Sequence, residues 1–319
     1  MVAADHVSVR EVGPRDGFQN EPEIISTADK ISLVECLAAT GLRRLEVTSF
    51  VRADVIPQLA DGPEVLRRAQ IPDHVSVTVL VPNERGLDNA LEVLQRGPKH
   101  PALPGVQGTR FQEVNLFLSA SETHNRKNVN RSVEESLSGL ERVIARAGKQ
   151  GLRCEGVISV AFGCPYEGEV GPERVFAIAR RLRDAGCAEI AFGDTTGMAN
   201  PAQVRDFFAA ARDELGDVEL TAHFHNTRGQ GLANVLAALD TGVRSFESSF
   251  GELGGCPVPR GATGNIASED LVSMLHEMGY DTGIDLERLL ACARQAQSVL
   301  GRPLGSHVLT AGPVNWQRG

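Results

Sequence analysis

Short runs of β-branched and apolar residues alternate along the chain with longer runs whose apolar positions recur at helical spacing. The short runs fall at residues 7–12, 42–48, 75–81, 113–118, 152–160, 188–192, 219–225 and 243–250. They number about eight, the count at which parallel strands close into a barrel. The longer runs lie at 27–39, 84–94, 132–147, 172–185, 201–215, 229–239 and 268–278. The pattern predicts strands joined by helical crossovers.

Local signals support these boundaries. Asn200-Pro201 places a capping side chain before a proline at the first helical position, and Gly171-Pro172 is similar. Gly41, Gly151, Gly186 and Gly242 each end a helical run just before a strand. An open doubly wound sheet would show the same alternation. The barrel is preferred because polar residues gather after the strands: Arg15 and Asp16, Thr48 and Ser49, Ser119 to Glu122, Asp194, His223 and His225, Glu252 to Cys256. In a (β/α)8 TIM barrel those positions converge on one face, where active sites sit. The barrel is assigned to residues 1–283. A short C-terminal helical extension, with a run at 286–300 and a tail of no clear period, is assigned to 284–319. The Pro- and Gly-rich stretch 97–110 reads as an insertion on the face opposite the chemistry.

Composition narrows the partners. Hydrophobic residues are 42% and charged residues 23%, an ordinary globular balance that argues against disorder. The net charge of −9, with no Lys/Arg run to make a basic face, disfavours nucleic acid. No uninterrupted apolar stretch approaches the ~20 residues of a membrane span, and the N-terminal stretch has no secretory pattern. The six cysteines are scattered, so neither a zinc site nor a disulfide framework is expected, and a cytoplasmic location is the simplest.

His223-Phe224-His225 is the sharpest local signal, because alternation on a strand points both imidazoles into the barrel. They suit a divalent metal, or else form a hydrogen-bonded core pair. Asp16 is placed to add a carboxylate, since the first strand closes against the eighth, and Asn265 to add an amide oxygen. That mixed set suits Mg²⁺ or Mn²⁺. Read alone, Asn265 is better taken as a helix cap, and a solvated surface pair is the usual fate of adjacent charges such as Arg15-Asp16. Arg15 offers a permanent charge where an enolate oxygen would form. Glu11, Glu46 and Asp194, at strand ends, are candidates to orient Arg15 or the histidines. Cys256, in the glycine-rich loop after the eighth strand, is either a gated catalytic thiol or a small buried hydrophobe. His124 lies in what reads as a basic loop after the fourth strand, suited to meet a phosphate.

Together these segments resemble the 3-hydroxy-3-methylglutaryl-CoA lyase family of metal-dependent barrel lyases and synthases. The stretches that carry the likeness include EVGPRDGFQNE (11–21), SASETHNRKNVNRSVEES (119–136), FGDTTG (192–197), HFHNTRGQGLAN (223–234) and GELGGCPVPRGATGNIASED (251–270). The resemblance implies that Asp16, His223, His225 and Asn265 hold the ion and that Asp16 or His223 serves as base. It further implies that Arg15 steadies enolate charge, that Gln19 and Asn128 join Arg15 in binding an acyl-CoA substrate, and that Cys256 is the acid/base of a closing loop. A homodimer is also implied.

The chain departs from the family pattern at Val258, where an aromatic residue is usual, and at Pro22, where a lysine is often found. Reaction type is therefore more secure than acyl chain, and a citramalyl-CoA or other 3-hydroxy-3-alkyl thioester stays open. Two rivals are a condensing synthase of the same superfamily and a non-catalytic barrel that only binds metal or acyl-CoA.

Overall fold

The computed structural model describes residues 5–100, 104–107, 110–255 and 263–315. Eight parallel strands close into one barrel: β1 (Ser8–Glu11), β2 (Arg44–Ser49), β3 (Ser76–Leu80), β4 (Glu113–Ser119), β5 (Arg153–Ser159), β6 (Glu189–Asp194), β7 (Glu219–Phe224) and β8 (Ser245–Ser248). Each pairs with its sequence neighbour, and β1 closes on β8 through Arg10↔Glu247 and Glu11↔Ser248. All eight strands coincide with runs expected from the alternation, within a few residues at their ends.

The helices that cover the barrel are α1 (Thr27–Ala38), α2 (Gly62–Arg68), α3 (Glu84–Arg96), α4 (Glu122–Val129), α5 (Val133–Lys149), α6 (Pro172–Ala185), α7 (Pro201–Leu215), α8 (Gly231–Asp240) and α9 (Ser268–Glu277). Side-chain caps fix several of their starts. Asn200 accepts from Gln203 N at the start of α7, and Ser132 with Glu135 forms a reciprocal capping box on α5. The apolar core lies between strands and helices. Its densest part is aromatic, where Phe162, Phe192, Phe207 and Phe208 pack at ring separations of 4.7–6.1 Å.

The barrel interior is different. Branched aliphatic side chains are the usual filling, yet here Arg10 is wholly buried and donates to Glu155, to Glu247 at 2.9 Å, to Glu113 at 3.0 Å and to Glu189 at 3.2 Å. Arg44 binds Glu113 and Glu189, and Arg153 binds Glu189 and Glu219. Charges this deep persist because each is paired and hydrogen-bonded; removing one partner would strand the other.

Three expectations change. Cys36 on α1 and Cys292 on α10 (Leu286–Leu300) are bonded, with Cα atoms 5.8 Å apart across 256 positions of chain, so not all six cysteines are free thiols. Sequence spacing could not show that α10 folds back onto α1. The scattered-cysteine argument for a reducing compartment therefore lapses. The stretch after Ser121, read as a loop, is the helix α4. The tail is held as well: α11 (His307–Ala311) is capped by Ser306, and Asp270 accepts from Ser306 Oγ, His307 N and Val308 N at 2.8–3.0 Å. No helix among the described residues is long and apolar enough to cross a membrane.

Part of the 97–110 stretch is described. Gly105 O accepts from Asp73 N, and Gln107 N donates to Ile71 O, which places it beside the segment that leads into β3. That is the barrel end opposite His223 and His225.

Candidate metal and acyl-CoA site

After β1 the chain makes one turn of π-helix, Gly13–Gly17, in which Arg15 N and Asp16 N both donate to Val12 O. Gly13 is required there, because any Cβ would overlap the Phe250 ring and the Glu11 carboxylate. The turn carries Arg15 and Asp16 over the barrel mouth. His223 and His225 rise from β7, while Phe224 between them points outward into the aromatic core.

Asn265 arrives by a route that no strand pattern reveals. Residues 264–267 insert between the ends of β7 and β8. Asn226 N donates to Gly264 O, Ile266 N to Phe224 O and Ser249 N to Ile266 O. His225 and Asn265 thereby form an antiparallel bridge. Gly254, at φ +103°, completes the approach, since a Cβ there would sit 2.6 Å from Asn265 Nδ2.

The four expected ligands meet. Ligand atoms of Asp16, His223 and His225 lie within 4.8 Å of one another. The two imidazole Nε2 atoms face each other at 3.1 Å, and Asn265 Nδ2 donates to Asp16 Oδ2 at 2.8 Å. Asn265 Oδ1 is buried with no hydrogen-bond partner among the described residues. Burial and the neighbouring His223 push the His225 pKa down to about 3, so its ring is neutral. Burial opposes ionisation of Asp16, but Arg15 and the imidazoles outweigh it and hold its pKa below the usual carboxylate value. One anionic carboxylate and two imidazole nitrogens within 4.8 Å of one another, with the Asn265 amide bonded to that carboxylate, fit a divalent cation.

Arg15 donates from Nε to Glu46 at 2.7 Å and from Nη1 to Asp16 Oδ1 at 2.6 Å. Glu46 is thus in direct contact with Arg15. Glu11 is not: its carboxylate accepts from Gly13 N, Phe250 N and Ser268 Oγ, and so ties together the loops after β1 and β8. Asp194 instead accepts from Met198 N and Ala199 N and shapes the loop after β6. Burial raises its pKa to about 6.

Arg15, Asp16, His223 and His225 open into a cavity of 440 Å³ whose wall includes Gln19, His124 and Asn128. Gln19 is already engaged, donating to Asp16 Oδ1 at 2.8 Å. Lys127 and Asn128 on α4 stand at the same cavity, with Lys127 Nζ 4.8 Å from the centre of the Tyr166 ring. Cys256 and Val258 lie outside the described residues. Glu247 escaped the sequence reading, although it accepts from His223 Nδ1 at 2.9 Å. Its signal was a lone glutamate within the run 243–250, five positions before Glu252 of the polar loop.

Fold and site together define a barrel with Asp16, His223 and His225 grouped at its cavity, a set that could hold a metal ion. The HMGL-like family matches residues 6–295, and the chain belongs to this family of carbon–carbon lyases. It is 43% identical over 303 residues to a hydroxymethylglutaryl-CoA lyase of Bacillus subtilis, covering 95% of this chain and 96% of that one. It is also 42% identical over 308 residues to an (R)-citramalyl-CoA lyase of Chloroflexus aurantiacus, covering 97% and 95%. The structure of an HMG-CoA lyase from Acinetobacter baumannii, in complex with coenzyme A and 3-methylmalate, superposes with a TM-score of 0.90 at 37% identity, covering 100% and 99%.

Proposed function

We propose that the chain is a hydroxymethylglutaryl-CoA lyase, cleaving 3-hydroxy-3-methylglutaryl-CoA to acetyl-CoA and acetoacetate. The observation that carries this reading is the convergence of Asp16, His223, His225 and Asn265 beneath a cavity that Arg15 lines. Those four residues would hold Mg²⁺ or Mn²⁺. When bound, the ion supplies Lewis-acid polarisation of the substrate's oxygens.

The chain's own groups supply the rest. Asp16 takes the proton of the tertiary hydroxyl, whose O–H electrons become the new carbonyl bond. The carbon–carbon bond breaks, and its electron pair passes to the thioester as an enolate. Arg15, kept in place by Glu46, presents fixed positive charge to the enolate oxygen. Cys256 donates its thiol proton to the enolate carbon, and acetyl-CoA forms. Lys127 and Asn128 at the cavity wall favour an acyl-CoA as substrate. A homodimer, as the family resemblance implies, completes the reading.

A second reading is a lyase for citramalyl-CoA, favoured by a citramalyl-CoA lyase relative at nearly the same identity. The test is acetyl-CoA release from HMG-CoA with and without Mg²⁺ or Mn²⁺. Metal-dependent release supports the proposal, and none at saturating substrate overturns it.

A further inference from the structure

Glu247 stands between the two charged systems of the barrel. Its Oε2 accepts from His223 Nδ1 at 2.9 Å, and its Oε1 accepts from Arg10 Nη1 at 2.9 Å. Arg10 is fully buried and is also held by Glu113, Glu155 and Glu189, so it cannot turn aside. We propose that Glu247, anchored by Arg10, is the positioning residue that fixes the tautomer of His223 and presents a bare Nε2 to the metal position. The proposal rests on the metal reading above.

The argument is one of donors and acceptors. A guanidinium only donates, and an ionised carboxylate only accepts. Arg10 therefore claims one oxygen of Glu247, and the other oxygen demands a proton on His223 Nδ1. A neutral imidazole has only one, so Nε2 keeps its lone pair. That atom faces His225 Nε2 at 3.1 Å. His225 has no such guide: its Nδ1 is buried with no partner among the described residues. Of the two imidazoles, only His223 is set from behind, and such outer partners orient metal-binding histidines.

This geometry makes the amide substitution unusually informative. In Glu247→Gln the side chain has one acceptor and one donor. Arg10 takes the oxygen, which turns the NH₂ toward His223 Nδ1. That nitrogen must then accept, and the proton moves to Nε2, onto the face meant for the ion. Glu247→Asp keeps two acceptors and should preserve the tautomer despite its shorter reach.

The experiment uses metal-free protein labelled with ¹⁵N-histidine, with His223 assigned from the resonance lost in His223→Gln. Long-range ¹H–¹⁵N spectra read the tautomer, and calorimetry reads Mn²⁺ affinity. Wild type and Glu247→Asp should show His223 protonated at Nδ1, and Glu247→Gln should show it protonated at Nε2. The Gln variant should bind Mn²⁺ roughly 10–100-fold more weakly, the range expected for loss of an outer-shell partner. A wild-type His223 protonated at Nε2 overturns the proposal, even if the Gln variant does not fold. So does a Gln variant with an unchanged tautomer, whatever its affinity. Failure of wild type to bind Mn²⁺ would remove the metal reading instead, while the tautomer still decides the role of Glu247.

Discussion

Asn265 donates through Nδ2 to Asp16 Oδ2 at 2.8 Å, joining residues 249 positions apart. The bond leaves Asn265 Oδ1 as a buried acceptor with no partner among the described residues. A buried acceptor with no donor costs about 1–3 kcal/mol. A cation at that point would satisfy it together with Asp16, and this is the physical basis for treating the four residues as one set.

If that set binds the ion, His225→Ala should fold and lose Mn²⁺ binding by more than the roughly 10–100-fold of an outer-shell loss. Titration calorimetry checks it. Unchanged affinity would remove His225 from the ligands.

Much of this arrangement was legible in the sequence, for a physical reason. Strand alternation directs His223 and His225 inward whatever the rest of the chain does. Barrel closure then brings Asp16, after β1, to the rim that β7 and β8 share. Other parts were not legible. α4 is too polar to show an apolar stripe; its ends are set by Ser121, which accepts from His124 N, and by Asn130 in the left-handed region. The ionic interior depends on five strands meeting around Arg10, which no local window contains. Glu11 and Asp194 stand at strand ends as expected, but backbone donors from neighbouring loops claim them.

The Cys36–Cys292 bond ties α10 to α1 and restricts the unfolded chain over 256 positions. Cys292→Ser should lower stability by about 2–5 kcal/mol, read as a lower urea midpoint without reductant. Adding reductant should bring wild type toward the variant. Equal midpoints in oxidising buffer would mean that the bond does not form in solution.

Burial pushes Glu269 up to about 8, against backbone hydrogen bonds that favour its charged form. A folded-state pKa above the unfolded value means that the native state binds more protons between the two. The stability is therefore fully present below about 4.5 and is lost as pH rises through about 8. Glu269→Gln keeps an acceptor for Gly251 N but does not titrate. Urea midpoints at pH 5 and pH 8 should fall further for wild type than for the variant. Parallel falls would assign the pH dependence to other groups.

Cys256 is expected to act late, on the enolate, and not as a ligand. Cys256→Ala should reduce kcat by roughly 10²–10⁴-fold, the usual contribution of a positioned proton donor. Its Mn²⁺ affinity should stay within about twofold of wild type, since no ligand is lost. Near-normal turnover would return the thiol to the class of small buried hydrophobes.

Substrate choice is predicted to depend on Val258-Pro259-Arg260. A valine has less bulk than the aromatic residue usual two positions after the cysteine, so the chain is expected to accept more than one 3-hydroxy-3-alkyl thioester. Arg260 adds a permanent cation suited to a CoA phosphate or a substrate carboxylate, offsetting the lysine that Pro22 replaces. Identity does not choose for us, at 43% to a hydroxymethylglutaryl-CoA lyase and 42% to a citramalyl-CoA lyase. The expected outcome is measurable kcat/KM for both thioesters, with Val258→Tyr narrowing the range toward one of them. A change of one or two methylenes in an apolar pocket moves the ratio by roughly 10–200-fold, well within reach of a steady-state assay. If HMG-CoA leads by a wide margin and Val258→Tyr leaves the ranking untouched, the pocket is not relaxed at this position, and selectivity for the acyl chain must come from the residues around Arg15 and His223.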